Sequence, residues 1–531
     1  MEYILSVEEM RKVDALAINK LGITGAILME NAGLKSAQCI ANRFDPIAGK
    51  SIGIICGKGN NGGDGFVIGR HLSQMGAQVT FSLVGKFADV SGDAKVNMDI
   101  ARNLGLTIHE VQNWNPARHL RGFDLVIDAL LGTGLKGDVS GVYADIIGSL
   151  NIWQKPVVSV DAPSGLDCDK GRPLGVCVKS DLTITMGNVK TGMLLYPGRE
   201  LVGRLFIADL NVPSSVFEQI NLSKYFFEPE DYQKLLPPRP QDAYKNKFGK
   251  LLVLAGSRGL SGAAVLTSKA ALYSGAGMVI LGCPQGLNSV FEEKLTEVMT
   301  DPLPETDVGS LTESAFDAVE DSLQWSDVLA LGPGLSTHHD TVRFVHRVLT
   351  EQSRPIVIDA DGLNNLAENT KLLEDYKGEI IITPHVGEFS RLSGLSHDEI
   401  LRSSVEAVER FAKTWGVVVL LKGAPTIIAD PGGAIYFNPS GNSGMATAGA
   451  GDVLTGIIAG FLAQKLSAID AAVLGAFVHG LAGDRAASLL GQRGMVAGDI
   501  LEQTPQTLAD LENMDKDSLA EYSEPFPIRL F

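Results

Sequence analysis

The stretch SIGIICGKGNNGGDG, residues 51–65, predicts the fold class. Ser51–Cys56 has the character of a buried strand, and a glycine-rich turn and a helix to about Met75 follow it. This order is typical of the phosphate-binding turn in doubly wound α/β folds, although the spacing is not a strict GxGxxG. Asn60, Asn61 and Asp64 add side-chain oxygens that a phosphate loop does not need. Such oxygens favour a hard cation or ribose hydroxyls.

Three further strands are predicted in the first half of the chain, at residues 78–84, 123–128 and 156–161. Helical stretches separate them, which favours a mostly parallel sheet covered on both faces. Asp128 and Asp161 end the last two strands and lead into polar loops. An aspartate at such a position is more often a turn or helix-cap residue. Three polar loops at the carboxyl ends of strands, however, together favour one functional site.

Composition limits the class of protein. The 531 residues exceed one ordinary core and indicate roughly two to four domains. With 45 Lys and Arg against 62 Asp and Glu, the net charge of -17 argues against nucleic acid as a partner. The five cysteines contain no CxxC pair, which argues against a disulfide framework or a zinc site and favours the reducing cytoplasm. No signal peptide and no apolar run of about 18 residues is recognised, so neither export nor a membrane is expected.

The clearest break in the chain is LLPPRPQD, residues 235–242. We predict a first domain at residues 1–225, a linker at 226–240, a second domain at 241–515 and a polar, weakly structured tail at 516–531. Strands predicted at 250–255, 327–332, 355–359, 379–383 and 417–422 make the second domain α/β as well. Polar loops follow these strands. A lone histidine or lysine in such a loop is more often solvent-exposed than functional.

The most glycine-rich part of the second domain is GNSGMATAGAGDVLTG, residues 441–456, and an apolar helix is predicted to begin at Asp452 and to reach about Gln464. Glycine amides approach an oxyanion without a Cβ in the way, and a helix start adds its positive dipole end. A carboxylate beside a phosphate is repelled, so Asp452 is a candidate to handle a proton or a metal. The alternative is a glycine-rich turn capped by an aspartate. The motif alone leaves both open.

Taken in chain order, these motifs resemble those of a known bifunctional family of nicotinamide-nucleotide-hydrate repair enzymes. In that family an NAD(P)HX epimerase domain is fused to an ADP-dependent NAD(P)HX dehydratase domain of the ribokinase-like superfamily. The resemblance covers nearly the whole chain and implies a Rossmann-like three-layer first domain and a ribokinase-like α/β/α second domain. Its most specific parts are NNGGDG at 60–65, GTGLKG at 132–137, DAPSG at 161–165, KG at 422–423, GN at 441–442 and GAGD at 449–452.

For the first domain, the resemblance implies an isomerase that interconverts the R and S forms of hydrated NADH and NADPH. It implies a potassium ion bound by Asn61, Asp128 and Ser164, which organises the loops. Asp161 is then the candidate general acid or base for inversion at C6 of the damaged nicotinamide ring. The residues implied to bind the hydrate are Asn60, Asn61, Gly62, Gly63, Asp64, Gly132, Thr133, Gly134, Leu135, Lys136, Gly137, Asp138 and Asp161.

For the second domain, the resemblance implies a lyase that dehydrates the S form and converts ADP to AMP and phosphate. Asp452 is its candidate catalytic residue, and magnesium is expected with ADP, with Glu388 bound to it through water. The residues implied to bind the hydrate are Ala263, Ala264, Gly334, His385 and Asp452, and those implied to bind ADP are Lys422, Gly423, Ala424, Pro425, Thr426 and Gly451. A cytoplasmic homo-oligomer is expected.

Two other functions are compatible with the same residues. The first is a ribokinase-like small-molecule kinase, because a glycine-rich cradle at residues 441–456 and Asp452 would also serve phosphorylation of an alcohol. The second makes the first half of the chain a noncatalytic ligand-binding module. The chain also departs from the usual family motifs at Tyr244–Asn246, at Val386 and at Ala450. The first two changes bear on the loop at the second domain's entrance and on the His385 contact.

Overall fold

The computed structural model describes residues 1–513 and the strand 528–530. The chain forms two compact units, one over Glu2–Lys224 and one that begins at Tyr225. Each unit contains a mainly parallel sheet with helices, which confirms the predicted α/β class. Among the described residues, no helix is both long enough and apolar enough to cross a bilayer.

The strands are numbered in chain order. The first eleven are β1 (Glu2–Tyr3), β2 (Ser51–Cys56), β3 (Gln78–Val84), β4 (Thr107–Val111), β5 (Leu125–Ala129), β6 (Val157–Val160), β7 (Leu166–Asp167), β8 (Arg172–Pro173), β9 (Leu182–Met186), β10 (Arg204–Ala208) and β11 (Lys224–Phe226). The others are β12 (Lys250–Leu254), β13 (Met278–Pro284), β14 (Met299–Leu303), β15 (Val328–Leu331), β16 (Ile356–Ile358), β17 (Ile380–Ile382), β18 (Val418–Leu421), β19 (Thr426–Ala429), β20 (Ile435–Asn438) and β21 (Ile528–Leu530).

The helices follow the same convention. The first unit contains α1 (Val7–Leu21), α2 (Gly25–Arg43), α3 (Asn60–Gln74), α4 (Gly92–Asn103), α5 (Pro116–His119), α6 (Val142–Asn151), α7 (Gly198–Leu201) and α8 (Ser214–Phe217). The second contains α9 (Pro229–Leu235), α10 (Ser261–Tyr273), α11 (Asn288–Lys294), α12 (Ala315–Ala318), α13 (Glu320–Trp325), α14 (His339–Glu351), α15 (Asp361–Leu366), α16 (Leu372–Asp375), α17 (Val386–Ser393), α18 (His397–Arg402), α19 (Ser404–Trp415), α20 (Ala450–Ala463), α21 (Ala468–Leu490) and α22 (Ala497–Asn513). Short 3-10 helices occupy Phe87–Asp89, Thr191–Met193, Lys245–Phe248, Gln285–Leu287 and Ser443–Met445.

The sheet of the first unit has the strand order β21-β10-β9-β6-β5-β2-β3-β4. Its neighbouring strands pair in parallel. From β2 the chain builds outward through β3 and β4, and it then returns to the other side of β2 with β5, β6, β9 and β10. The order therefore reverses between β2 and β5. In open α/β sheets this reversal is where ligands bind.

The turn after β2 is shorter than the sequence analysis predicted. We expected a loop over residues 57–65, but α3 already begins at Asn60, so NNGGDG forms the first turns of a helix. Close packing explains why these turns need glycine: a Cβ on Gly62 would lie 2.0 Å from the Gly57 carbonyl oxygen. The glycines therefore let α3 start directly against the end of β2.

The main sheet of the second unit contains the run β20-β19-β18-β17-β16-β15-β12-β13-β14. Strands β18, β19 and β20 pair antiparallel and the others in this run pair in parallel. The order reverses between β12 and β15, as it does between β2 and β5 in the first unit. The carboxyl ends of β16, β17 and β18 lie side by side, so the loops that follow them occupy one edge of the sheet.

Two segments differ from the predicted irregular structure. Within the predicted linker, Pro229–Leu235 is a helix because Glu228 caps it and its Tyr232 side chain is buried, stacked on Phe477 at 3.7 Å between ring centroids. Most of the tail predicted at 516–531 lies outside the described residues. Ile528–Leu530, however, is a strand that pairs in parallel with β10, whereas we expected weak structure there. Backbone pairing to an open sheet edge accounts for that strand.

Candidate active sites

The first site lies beyond the carboxyl ends of β2, β5 and β6, where the strand order of the first sheet reverses. A Cβ placed on Gly132 would lie 3.2 Å from Asn61 Cβ and 3.4 Å from Asp161 Oδ2. The Thr133 amide donates to the same Asp161 oxygen at 3.4 Å. The structure therefore brings the loops that carry Asn61, Gly132 and Asp161 together, as their positions after neighbouring strands predicted.

The Asp161 carboxylate belongs to a buried ion pair that the sequence analysis missed. Lys190 Nζ lies 2.7 Å from Asp161 Oδ1 and also donates to Thr185 Oγ1 at 2.8 Å and to the Met186 carbonyl at 2.9 Å. Burial by itself raises the pKa of Asp161, but the charge and hydrogen bond of Lys190 hold that pKa below its ordinary value. Asp161 also has a φ of 63°, a left-handed conformation uncommon outside glycine. The carboxylate is thus ionised and held in one orientation.

Two further carboxyl groups surround this ion pair. Burial, and after it the charge of Asp161, raises the pKa of Asp64 well above its ordinary value. Burial likewise raises the pKa of Asp14 to about 6, although the charge of Lys190 opposes this shift. The first site therefore combines one ionised carboxylate with two carboxyl groups that retain a proton more readily. Carboxyl groups whose pKa values are pushed apart are the usual basis of acid–base catalysis.

The three residues predicted to bind potassium have different surroundings. The Asp128 carboxylate is fully buried and accepts from Ser164 Oγ at 2.6 Å, the Ser164 amide at 2.9 Å and Ser159 Oγ at 2.8 Å. Burial raises the pKa of Asp128 even though these donors oppose the shift. The amide oxygen and nitrogen of Asn61 are buried without a hydrogen-bond partner. A buried amide oxygen without a partner fits a cation that takes oxygen ligands.

The remaining residues predicted to bind the hydrate divide by exposure. Within the loop at 132–138, Gly134, Lys136, Gly137 and Asp138 are exposed and Leu135 is half-buried. Of the residues at the start of α3, Asn60 is exposed, whereas Gly62 and Gly63 are buried. The exposed residues are open to a ligand. The buried glycines act through close packing of the backbone, because each has atoms within 3.0 Å of the place a Cβ would take.

The second site is a cluster of charged residues at the carboxyl ends of β16 and β18 and the start of α20. Lys422 Nζ lies 2.7 Å from Asp359 Oδ1, and Thr455 Oγ1 donates to Asp359 Oδ2 at 2.7 Å. A Cβ placed on Gly451 would lie 3.2 Å from Lys422 Nζ, and one placed on Gly449 would lie 3.9 Å from Asp452 Oδ2. The predicted cradle, Lys422 and Asp452 therefore form one site around Asp359.

Electrostatics sets the proton affinities of this cluster. Burial, and after it the charge of Asp359, raises the pKa of Asp452 to about 7, and Lys422 opposes the shift. Burial lowers the pKa of Lys422, but the charges of Asp359 and Glu388 outweigh burial and raise it above the ordinary value. Lys422 therefore remains a cation. Asp452 can gain or lose a proton near neutral pH, which suits a general base.

His385 and Glu388 fix the start of α17 beside this cluster. His385 Nδ1 accepts from the amides of Gly387 at 2.9 Å and Glu388 at 3.2 Å, and Glu388 Oε2 accepts from the His385 amide at 2.8 Å. Glu388 is buried and lies 3.8 Å from Lys422 Nζ, whereas the His385 side chain is 55% exposed. Val386 in place of proline leaves this helix start intact. Glu388 is therefore a buried carboxylate beside the Lys422–Asp359 pair, and carboxylate oxygens are ligands that magnesium prefers.

The other residues predicted to bind ligands lie near two turns. The Cβ position of Gly334 is 3.2 Å from Ala263 Cβ, so these two residues are adjacent. Ala264 is fully buried against Gly256, whereas Ala263 is half-buried. Of these two alanines, only Ala263 has surface that a ligand can reach. Gly423, Ala424 and Pro425 lie in the turn between β18 and β19, the first two of them are exposed, and Thr426 begins β19.

The cradle is held in place from two sides. Gly449 has a φ of 91°, which glycine adopts without strain, and α20 begins immediately after it. The helix thus begins two residues before the predicted start at Asp452, which lies in its first turn. On the other side, Asp484 accepts from the Gly441 amide and from Asn442 Nδ2, both at 2.8 Å. The first amides of α20 have no partner within the helix, and they lie in the same turn as Gly451, which is next to Lys422 Nζ.

Comparison with known proteins identifies the family. The family model described as NAD(P)H-hydrate dehydratase matches residues 251–506, and the one described as YjeF-related protein N-terminus matches residues 25–192. The bifunctional NAD(P)H-hydrate repair enzyme Nnr of Moorella thermoacetica is 42% identical over 515 residues, which cover 96% of this chain and 97% of that protein. The chain belongs to the family of bifunctional NAD(P)H-hydrate repair enzymes.

A second repair enzyme of the same name, from Thermofilum pendens, is 37% identical over 98% of this chain and 99% of its own length. A solved structure of ADP/ATP-dependent NAD(P)H-hydrate dehydratase from Bacillus subtilis, co-crystallized with ATP/Mg2+, aligns at 26% identity with a TM-score of 0.47. The alignment covers 54% of this chain and 98% of that chain. As a member of the repair family, the chain combines an epimerase domain with a dehydratase domain, which confirms the predicted isomerase and lyase.

Three charged residues of these sites were not predicted from the sequence. Asp359 ends the strand predicted at 355–359, but it was not predicted to be a site residue. Asp128 and Asp161 were selected because each ends a strand, and the same criterion applies to Asp359. Lys190 follows β9 by four residues and lies in no motif. Asp14 lies within α1, where an aspartate ordinarily faces solvent. Only for Asp359 did the sequence contain a usable signal, namely a carboxylate at the end of a buried strand.

Proposed function

We propose that the second unit of this repair enzyme uses ADP to dehydrate the S form of the hydrate, with Asp452 as general base. The observation that carries the proposal is the grouping of Asp452, Lys422 and Gly451 around Asp359 at the start of α20. A base with a pKa of about 7 and a cation that stays charged lie beside the positive end of a helix. That combination suits transfer of a phosphoryl group to a neutral hydroxyl.

The proposed reaction has two steps. Asp452 takes the proton of the hydroxyl at C6 as the hydroxyl oxygen attacks the terminal phosphorus of ADP, and the bond from that phosphorus to the AMP oxygen breaks. The lone pair of the ring nitrogen then expels phosphate from C6, and loss of a proton from C5 restores the dihydronicotinamide. Phosphate is a much better leaving group than hydroxide. The amides of Gly449–Gly451 stabilise the charge that develops on the transferred group.

The predicted binding residues divide between the two ligands. The hydrate is assigned to Ala263 with its neighbour Ala264, Gly334, His385 and Asp452. ADP is assigned to Lys422, Gly423, Ala424, Pro425, Thr426 and Gly451. Magnesium bound with ADP would neutralise phosphate charge, and the Glu388 carboxylate would contact it through water.

For the first unit, we propose that Asp161 exchanges a proton with the hydrate during inversion at C6. The hydrate lies along the loops at 60–64 and 132–138. The support for this assignment is the ionised Asp161 carboxylate and its fixed orientation next to Gly132 and Thr133. Asn61, Asp128 and Ser164 are the proposed potassium ligands. Burying the Asn61 amide without a hydrogen-bond partner costs free energy, and a bound ligand would remove that cost.

The proposed domain assignment follows the predicted ranges, with epimerase at 1–225, a linker at 226–240, dehydratase at 241–515 and a tail at 516–531. The proposed substrates are NADHX, NADPHX and ADP, and neither nucleic acid nor a membrane is a proposed partner. We also propose that the enzyme acts in the cytoplasm and forms a homo-oligomer. Size-exclusion chromatography with light scattering tests the last point, and a monomer would contradict it.

An absorbance assay tests the proposed reactions. Purified protein is incubated with mixed R and S hydrate and with ADP, ATP or neither, while the regenerated dihydronicotinamide is followed. We expect recovery of both forms with ADP. The Asp452→Asn variant should lose recovery by about a hundredfold or more, because a general base contributes at least that factor. Full recovery by Asp452→Asn would exclude Asp452 as the base, and no recovery by the wild type would overturn the proposed function.

A further inference from the structure

Asp14 is a carboxyl group of the first unit that the proposed mechanism does not use. The segment that leads into α1 is anchored beside Lys190: the Leu5 amide donates to the Val189 carbonyl at 3.0 Å, and the Thr191 amide donates to the Leu5 carbonyl at 3.0 Å. Arg11 Nη2 lies 3.9 Å from the Cβ position of Gly134. One face of α1 therefore lies against both the Lys190 segment and the loop at 132–138.

Asp14 lies on that face. It is three residues after Arg11 and four after Met10, whose methyl group is 2.8 Å from the Cβ position of Gly187. Residues three and four apart share a face of a helix. Asp14 Oδ1 is buried and has no hydrogen-bond partner within the chain. A buried carboxyl oxygen without a partner is available to a ligand or holds a proton.

The charges that act on Asp14 are Lys190 and Asp161, and Asp64 interacts with the same group. Lys190 donates to Asp161 and directs its three hydrogen bonds to Asp161, Thr185 and Met186, so its ammonium group is fully used. Asp161 is therefore the carboxylate that stays ionised. Asp14 lacks such a donor and lies near two other carboxyl groups, so, like Asp64, it retains a proton more readily than Asp161.

We propose that Asp14 is the general acid of the epimerase site, which protonates the departing hydroxyl while Asp161 accepts a proton from the water that replaces it. The C6–O bond breaks, and the lone pair of the ring nitrogen forms a double bond to C6. The departing hydroxide takes the proton of Asp14 and leaves as water. A second water adds to the opposite face of C6 and gives its proton to Asp161. Asp161 then releases its proton to solvent and Asp14 takes one up from solvent, so both carboxyl groups return to their starting states and the cycle is complete.

This inference rests on the proposed epimerase activity, and the test separates the two. Full-length protein receives purified R hydrate with ADP, and the regenerated dihydronicotinamide reports epimerisation followed by dehydration. Purified S hydrate in a parallel sample reports dehydration alone, and a sample without protein corrects for spontaneous epimerisation. We expect Asp14→Asn to lose catalysed R-to-S conversion by about a hundredfold or more. Glu8→Gln, an exposed change in the same helix, should retain it.

Two measurements on the wild type keep the proposal testable if Asp14→Asn does not fold. Catalysed R-to-S conversion should decrease as pH rises through about 6, because Asp14 acts in its protonated form. In water labelled with oxygen-18 and without ADP, the epimer formed should carry the label, as mass spectrometry would show. Conversion that is independent of pH from about 5 to 8, retention of the original oxygen, or full activity of a folded Asp14→Asn protein would each overturn the proposal. Absence of R-to-S conversion in the wild type would instead overturn the epimerase activity itself.

Discussion

Replacement of Asp359 by asparagine tests the electrostatics of the second site. The pKa of Asp452 is about 7 where 3.8 is ordinary, and this difference corresponds to about 4 kcal/mol against the ionised form. Burial is the largest cause and the charge of Asp359 is the next. A like charge in a shared site commonly shifts a carboxyl pKa by about one pH unit or more. We therefore expect Asp359→Asn to lower the pKa of Asp452 from near 7 to about 6 or below.

The sign of the effect on activity follows from the role of Asp452. A general base acts when ionised, so dehydration of S hydrate by the wild type should increase as pH rises through about 7. In Asp359→Asn the increase should occur about one pH unit lower. The assay is kcat/KM for S hydrate with saturating ADP, measured from about pH 5 to 9. Asp398→Asn removes the same charge from an exposed position of α18 and should leave the profile unchanged.

Stability must be measured in parallel, because Asp359 also accepts from Lys422 and Thr455. Asparagine keeps one acceptor oxygen, and Lys422 keeps Glu388 at 3.8 Å, so we expect a loss of about 1–3 kcal/mol in urea unfolding. A folded Asp359→Asn protein whose activity increases at the same pH as the wild type would refute the reasoning. In that case either Asp359 does not control the proton affinity of Asp452, or Asp452 is not the base.

Three further predictions, on the ion pair, the start of α3 and the potassium site, concern the first unit. Lys190→Met removes the cation from a buried pair and should cost about 3–5 kcal/mol at neutral pH. The loss should shrink in acid as Asp161 becomes protonated, which urea unfolding at several pH values would reveal. Gly62→Ala should destabilise the unit by several times more than Gly59→Ala in thermal unfolding, because a Cβ meets a carbonyl oxygen at 2.0 Å in the first case and nothing within 4 Å in the second. Replacing potassium by sodium in the R-hydrate assay should reduce epimerisation and leave dehydration of S hydrate unchanged, and Asn61→Ala should have the same effect. Equal activity in both salts would contradict a potassium site.

Much of the fold follows from local patterns. Buried strands such as Ser51–Cys56 and Lys250–Leu254 are short apolar runs followed by glycine and a helix, and this periodicity depends on a few neighbouring residues. The start of α3 was harder to predict. Glycine usually interrupts a helix, and in NNGGDG it instead permits the close approach of α3 to the Gly57 carbonyl. Such an approach involves a partner that secondary-structure propensities do not include.

In the candidate sites too, some residues were predictable from local patterns and others depend on residues distant in the chain. The positions of Asp128, Asp161 and Lys422 after strands were sufficient to predict that they lie at ligand-binding edges. Lys190 and Asp14 were not predictable in this way, because each lies in an ordinary segment and gains its role from residues distant in the chain. Asp14, for example, is 147 positions from Asp161 in sequence and acts on the same group of charges.

The sequence by itself determined the α/β class, the positions of nine of the strands and the motifs that identify the family, because these properties depend on local periodicity and residue type. Only the tertiary structure decided which carboxyl groups are ionised. Proton affinity depends on burial and on charges that several elements bring together, so Asp161 beside Lys190 is ionised and Asp452 beside Asp359 titrates near neutral pH.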